Sequence, residues 1–222
     1  KYRCRACERA VTDFSKAIQM DKTYADAYYG RSLAYLCSKD YQAAYTDIDK
    51  AIQLKPTEAL YMEGKARIKL ATGKYLDAKD AYRKTLALDP GCWQAWYGLG
   101  QVYDQLDSTE LARKAYERVT VLNPEFVMPY IGLAEAKIVQ GEYDSAFVQI
   151  LEATKLAPEY ARVYEIASLI QRLRGNLSEA IEMADKAIAI NPGSHEAYSN
   201  RAEAYLKQGE FNKADLDYIM VL

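Results

Sequence analysis

Histidine occurs once in the 222 residues, cysteine four times and proline six times, and the two signs of charge nearly cancel to a net −2. Each scarcity removes a class of protein. A near-neutral chain has no electrostatic case for gripping nucleic acid or an anionic membrane. No apolar run approaches the roughly 20 residues that a membrane-spanning helix needs, and no signal peptide is visible. The single histidine, His195, has no serine or cysteine nucleophile predictably beside it. No glycine-rich loop follows a strand to cradle phosphate, because no strand pattern exists; Gly98, Leu99 and Gly100 sit inside a helical pattern. Cys4 and Cys7 form a Cys-x-x-Cys pair, but a tetrahedral metal site needs four ligands. Cys37 and Cys92 stand in other parts of the chain, so the pair reads as two cysteines at i and i+3 on a helix, with Cys7 at an aromatic-type packing place. No metal, no cofactor and no catalysis are expected. So few cysteines, without framework spacing, are compatible with a reducing compartment, and a cytoplasmic location is favoured.

What the chain does have is regular punctuation. Pro56, Pro90, Pro124, Pro158 and Pro192 stand 34 residues apart. Proline has no N–H to donate and disfavours helix in the residue before it, so a proline at fixed period marks one helix end per repeat. A period of about 34 residues is that of a helix–turn–helix solenoid.

The residues between the prolines keep the same period. Repeats begun 31 residues before each proline span 25–58, 59–92, 93–126, 127–160 and 161–194, with a further one from 195. Place eight of each is small: Ser32, Ala66, Gly100, Ala134, Ser168 and Ala202. Place twenty is alanine every time: Ala44, Ala78, Ala112, Ala146, Ala180 and Ala214. Small residues let two helices approach, and large ones at places four, eleven and twenty-four fill the gaps beside them. Places four, seven and eleven predict a first helix; places twenty, twenty-four and twenty-seven predict a second. Gly73, Gly141, Gly175 and Gly209 fall at place fifteen, where a left-handed helix end needs no Cβ; Lys39 and Asp107 occupy that place in the other two full repeats. Thirteen of the twenty tyrosines fall at places four, eleven, seventeen and twenty-four, which reads as packing. Tyr29 and Tyr97 lie outside that register.

The run Trp96, Leu99, Gly100, Tyr103, Ala112, Tyr116 and Pro124 resembles the tetratricopeptide repeat, and the resemblance covers nearly the whole chain. Ala10, Phe14, Ala17 and Met20 match a second helix, with Lys22 in the proline's place, so residues 1–24 read as a half repeat. The expected organisation is one all-α solenoid: the half repeat, five full repeats and a truncated final repeat over 195–222. The resemblance implies a right-handed superhelix of antiparallel helix pairs with a concave groove lined by first-helix places two, five, nine and twelve. In this sequence those places include Tyr29, Leu33, Glu63, Arg67, Tyr97, Gln101, Ile131, Glu135, Glu165 and Arg172. Aromatic and arginine side chains are the usual anchors of interfaces, so these residues are the candidate contacts for a protein or peptide partner.

The family's clamp for chaperone C-terminal tails requires a lysine–asparagine pair at places five and nine. No repeat here carries it, and Glu63, Glu135, Glu165 and Glu203 would repel a carboxylate, so that partner is not expected. The expected function is a non-enzymatic scaffold. The alternatives are the regulatory or substrate-recruiting region of a larger enzyme, or a self-assembling adaptor. The chain starts inside a repeat and stops on an apolar helix, as a piece of a longer protein would. Residues 210–222, with Leu216, Ile219, Met220 and Leu222, are therefore expected to make an intermolecular contact.

Overall fold

The computed structural model describes residues 5–221. Among them stand thirteen helices and no strand. They are α1 (Arg5–Met20), α2 (Ala25–Cys37), α3 (Tyr41–Leu54), α4 (Ala59–Ala71), α5 (Tyr75–Leu88), α6 (Trp93–Gln105) and α7 (Thr109–Leu122). They continue with α8 (Met128–Val139), α9 (Tyr143–Leu156), α10 (Ala161–Leu173), α11 (Leu177–Ile190), α12 (His195–Gln208) and α13 (Phe211–Ile219). α2, α4, α6, α8, α10 and α12 begin at or next to place one, and α3, α5, α7, α9, α11 and α13 at place seventeen. α1 falls within the segment read as a half repeat.

Each terminator acts where its chemistry places it. Pro56, Pro90, Pro124, Pro158 and Pro192 all lie in the turn after an odd helix. Gly73, Gly141, Gly175 and Gly209 follow the even helices with φ of 73°, 77°, 83° and 81°, and Lys39 (φ 61°) and Asp107 (φ 52°) take the same left-handed conformation. Side chains of two repeats also secure the proline turn. Trp96 Nε1 donates to the Pro90 carbonyl and the Tyr130 hydroxyl to the Pro124 carbonyl, each at 3.0 Å. Place four of one repeat thus holds the last turn of the one before.

The chain divides into two compact units, one reaching to Arg118 and the other running from Val119. In the first, α2 pairs with α3 and α4 with α5, α1 lies on α2, and α2, α4 and α6 stand side by side. In the second, α8 pairs with α9, α10 with α11 and α12 with α13, while α8, α10 and α12 are neighbours. The small residues are the contact points. All six place-twenty alanines are fully buried, as are Ser32, Ala66, Ala134, Ser168 and Ala202 at place eight. The approach is close enough for the Ser168 hydroxyl to donate across it to the Ala180 carbonyl at 2.7 Å. At Gly100 a Cβ would stand 2.3 Å from the Tyr116 ring, so that position accepts no side chain. Ile48, Tyr61 and Ile68 belong to one apolar core cluster of the first unit, and Ile150, Val163, Ile166 and Ile170 to one of the second.

One expectation about the N-terminus is overturned. Cys7 is joined by a disulfide to Cys37, with Cα atoms 6.3 Å apart. The sequence sets the two in different repeats, 30 residues apart, and from it Cys7 is expected only to pack. That distance is four short of the repeat, so the start of α1 lies beside the end of α2, one repeat on. Cys4 lies outside the described residues, and Cys92 is a buried free thiol. Disulfides persist in oxidising surroundings, which removes the cysteine argument for a reducing compartment.

Candidate functional site

Place five forms a seam where first helices meet. In the first unit it carries Tyr29, Glu63 and Tyr97 from α2, α4 and α6. The Tyr29 ring stacks on Tyr61 at 5.2 Å between centroids and closes over Gly64, where a Cβ would stand 2.8 Å from the ring. Tyr29 therefore packs against the core, contrary to the register argument that set it apart. Burial, with a push from the Glu63 charge, raises its phenol to about 12. Tyr97 is half-buried and its ring lies 5.9 Å from Tyr116. Gln101 donates to the Tyr97 hydroxyl at 3.4 Å, one turn along α6.

Glu63 sits deepest in this seam. It is 1% exposed, and its one charged neighbour on α4 is Arg67, at 3.7 Å. Its Oε2 and the Tyr82 hydroxyl are buried without a hydrogen-bond partner among the described residues. Burial of the carboxyl raises Glu63 to about 7, against the opposing pull of Arg67. The same burial raises Tyr82 and the Cys92 thiol. Arg67 is itself exposed and, with Leu33 and Gln101, forms the accessible side of the seam.

The second unit carries a charged version of the seam. Arg162 joins Glu135 at 2.9 Å and Glu165 at 3.3 Å. Glu165 is buried and accepts the Ser194 hydroxyl at 2.5 Å. Ser194 in turn caps α12 through the Ala197 N–H, and Asn200 donates to the Glu165 carbonyl. Arg172 binds Glu203 at 2.5 Å while its Nε has no partner among the described residues. Ile131 is buried in the core. Of the ten candidate contacts, then, Glu63, Ile131 and Glu165 face into the seam, while Tyr29, Leu33, Arg67, Tyr97, Gln101, Glu135 and Arg172 retain accessible surface.

The apolar residues expected at the C-terminal end are exposed: Leu216 at 66%, Ile219 at 65% and Met220 at 51%. Leu222 lies outside the described residues. Among the described residues no group of three His, Cys, Asp or Glu side chains is placed to hold a metal ion. No described helix is long and apolar enough to cross a membrane.

Paired helices whose first members line up along a polar and aromatic seam define a helical-repeat protein of the interaction type. The chain belongs to the tetratricopeptide repeat family, whose profiles match residues 25–58, 64–126 and 171–215. Among curated proteins it is similar to the protein O-mannosyl-transferase TMTC3 of Homo sapiens, 27% identical over 142 residues. That match covers 57% of this chain and 16% of the relative. The chain spans a small part of the curated relatives it matches. Among solved structures it is similar to YrrB, described as a tetratricopeptide repeat protein with an unusual peptide-binding site. The identity is 27% and the TM-score 0.63, covering 83% of this chain and 95% of YrrB. It also shares its fold with the APC/C hetero-tetramer Cut9-Hcn1, at a TM-score of 0.83 and 16% identity, covering 97% of this chain and 43% of that one.

Proposed function

We propose that the chain is a non-enzymatic scaffold that holds a peptide or protein segment along the seam of α2, α4 and α6. Tyr29, Leu33, Arg67, Tyr97 and Gln101 would make the contacts in the first unit; Glu135 and Arg172 are the accessible candidates of the second unit's own seam. The observation that carries this reading is the pairing of accessible aromatic and arginine side chains with a rigid, buried support. Tyr29 and Tyr97 have one ring face packed on Tyr61 and Tyr116, so little side-chain entropy remains to be lost on binding. Rigid aromatic anchors beside an arginine are the usual hot-spot composition. Similarity to YrrB, a peptide-binding relative by its description, supports the same reading.

The test is affinity capture with this chain, followed by titration of the captured partner. Tyr97→Ala and Arg67→Ala are each expected to weaken binding at least fivefold, with unchanged helicity by circular dichroism. Equal affinity for both variants and the wild type would sink the groove reading. The second reading, a substrate-recruiting region of a larger enzyme, is favoured by the similarity to TMTC3. It predicts that the captured partner is modified by the enzyme carrying these repeats.

A further inference from the structure

The repeat register exposes an unfilled position on the other side of the first helices. In the 25–58 repeat, Arg31 at place seven reaches between the second helices α1 and α3. It donates Nε and Nη2 to Asp47 at place twenty-three, at 2.6 and 2.8 Å, and Nη1 to Ser15 at 3.0 Å. Ser15 occupies place twenty-five of the preceding half repeat. The final repeat builds the same device. There Arg201 donates to Asp217 at 2.7 and 2.6 Å and also to Asp185, again at places twenty-three and twenty-five. Both place-twenty-three aspartates are buried, at 4% and 5% exposure. The arginine–aspartate pair thus fills the space between successive second helices.

In the 93–126 repeat the three corresponding residues are Leu99, Ala115 and Arg83. The arginine is now a leucine and the aspartate an alanine, while a cation occupies the outer place. The space the pair would fill stays open as a cleft of about 450 Å³ between α5 and α7, floored by Trp96 and Leu99 of α6 and walled by Leu86 and Leu111. Places four, seven and eleven of α6 line it, on the opposite side of that helix from Tyr97 and Gln101. Its rim is cationic. The Arg83 guanidinium donates to the Tyr103 hydroxyl at 3.2 Å, and that of Arg118 lies 5.9 Å from the Trp96 ring centre. Neither has a carboxylate partner among the described residues. Lys114 reaches Glu110 at 3.6 Å, but Arg113 already holds Glu110 and its neighbour Glu117.

We infer that this cleft is a second docking site, separate from the groove. It takes a protein segment that presents one large apolar side chain, of leucine, methionine or phenylalanine size, directly beside an aspartate or glutamate. The apolar side chain replaces the missing arginine–aspartate pair on the Leu99 floor, and the carboxylate meets the rim of Arg83, Lys114 and Arg118. Small-molecule sites orient their ligand with convergent polar groups inside the cavity. Here the polar groups stand only at the rim, which suits a side chain delivered by a second backbone.

The test uses acetylated decapeptides carrying Leu, Met or Phe beside Asp, the same residues beside Lys, and Ser beside Asp. Binding is followed by tryptophan fluorescence, since Trp96 lies in the cleft. The apolar–acidic peptides are expected to bind at least tenfold more tightly than either control. Leu99→Arg with Ala115→Asp rebuilds the pair used in the first and last repeats and is expected to weaken binding at least tenfold. Ala115→Met fills the cleft with the residue that Met183 supplies at the same place in the 161–194 repeat, and is expected to do the same with an unaltered fold. Tyr97→Ala, which tests the groove, is expected to leave this binding unchanged. Failure of all decapeptides to bind overturns the inference, as does indifference to the exchange of Asp for Lys. Unchanged affinity in Ala115→Met, or binding of decanoate in place of the peptides, overturns it as well.

Discussion

Glu63 holds its carboxyl among Tyr29, Tyr82, the Cys92 thiol and Arg67, with one oxygen unbonded. Its elevation to about 7 has a definite sign for stability. The folded chain keeps a proton that the unfolded chain sheds near pH 4.5. Its contribution to stability is therefore complete below that pH and is lost as pH rises through 7. The loss is on the order of 3 kcal/mol, at about 1.4 kcal/mol per pKa unit. Glu63→Gln mimics the protonated acid. Chemical denaturation at pH 5 and pH 8 is expected to show a falling wild-type midpoint and a nearly flat one in the variant. A variant that keeps the wild-type slope would assign the dependence to another group. The resemblance to the repeat family put Glu63 at a groove-lining place. Its depth was not legible. That depends on Tyr29 and Tyr82, remote in sequence, closing around it.

At the scale of single helices, local chemistry decides most of the outcome. Prolines and left-handed residues end the helices in every full repeat, and Lys39 and Asp107 take up the positive φ that glycine adopts elsewhere. The exception is α1, which contacts α2 through one face and is joined to it by the Cys7–Cys37 bond. Closing a loop of that length removes about 3–4 kcal/mol of unfolded-state entropy in the chain-entropy description. Cys7→Ser is expected to lower the melting temperature and to raise hydrogen exchange in α1 before any other helix. Equal exchange in α1 with and without the bond would show that α2 holds it by packing alone. The arginine–aspartate pairs belong to this scale too. Arg31, Asp47, Arg201 and Asp217 are visible in the sequence, yet their bidentate geometry comes from two helices lying within reach. Their absence at Leu99 and Ala115 is equally visible, but it becomes a cleft only once α5 and α7 are set beside α6.

At the scale of the whole molecule each repeat packs mainly on its neighbours, so an apolar face left exposed on one helix stands out. Leu216, Ile219 and Met220 occupy places twenty-two, twenty-five and twenty-six, where the 25–58 repeat has Thr46, Asp49 and Lys50. The 127–160 repeat also carries apolar Val148 and Leu151 at the first two of these places, but only the last repeat has all three apolar, and an exposed apolar cluster is a feature of interaction surfaces. Self-association through α13 predicts a mass in light scattering that rises with concentration, and Leu216→Glu with Ile219→Glu is expected to abolish the rise. A constant monomer mass across the wild-type series would dismiss that contact.

Helix number, helix ends and the inward small residues were determined by sequence alone, because a 34-residue period repeats every local instruction in the same phase. Which polar groups end up buried, which cysteines meet and where a cleft stays open were decided only by the tertiary structure. Those properties depend on side chains of successive repeats meeting across space, and periodicity specifies the position of each but not whether its neighbour fills the gap.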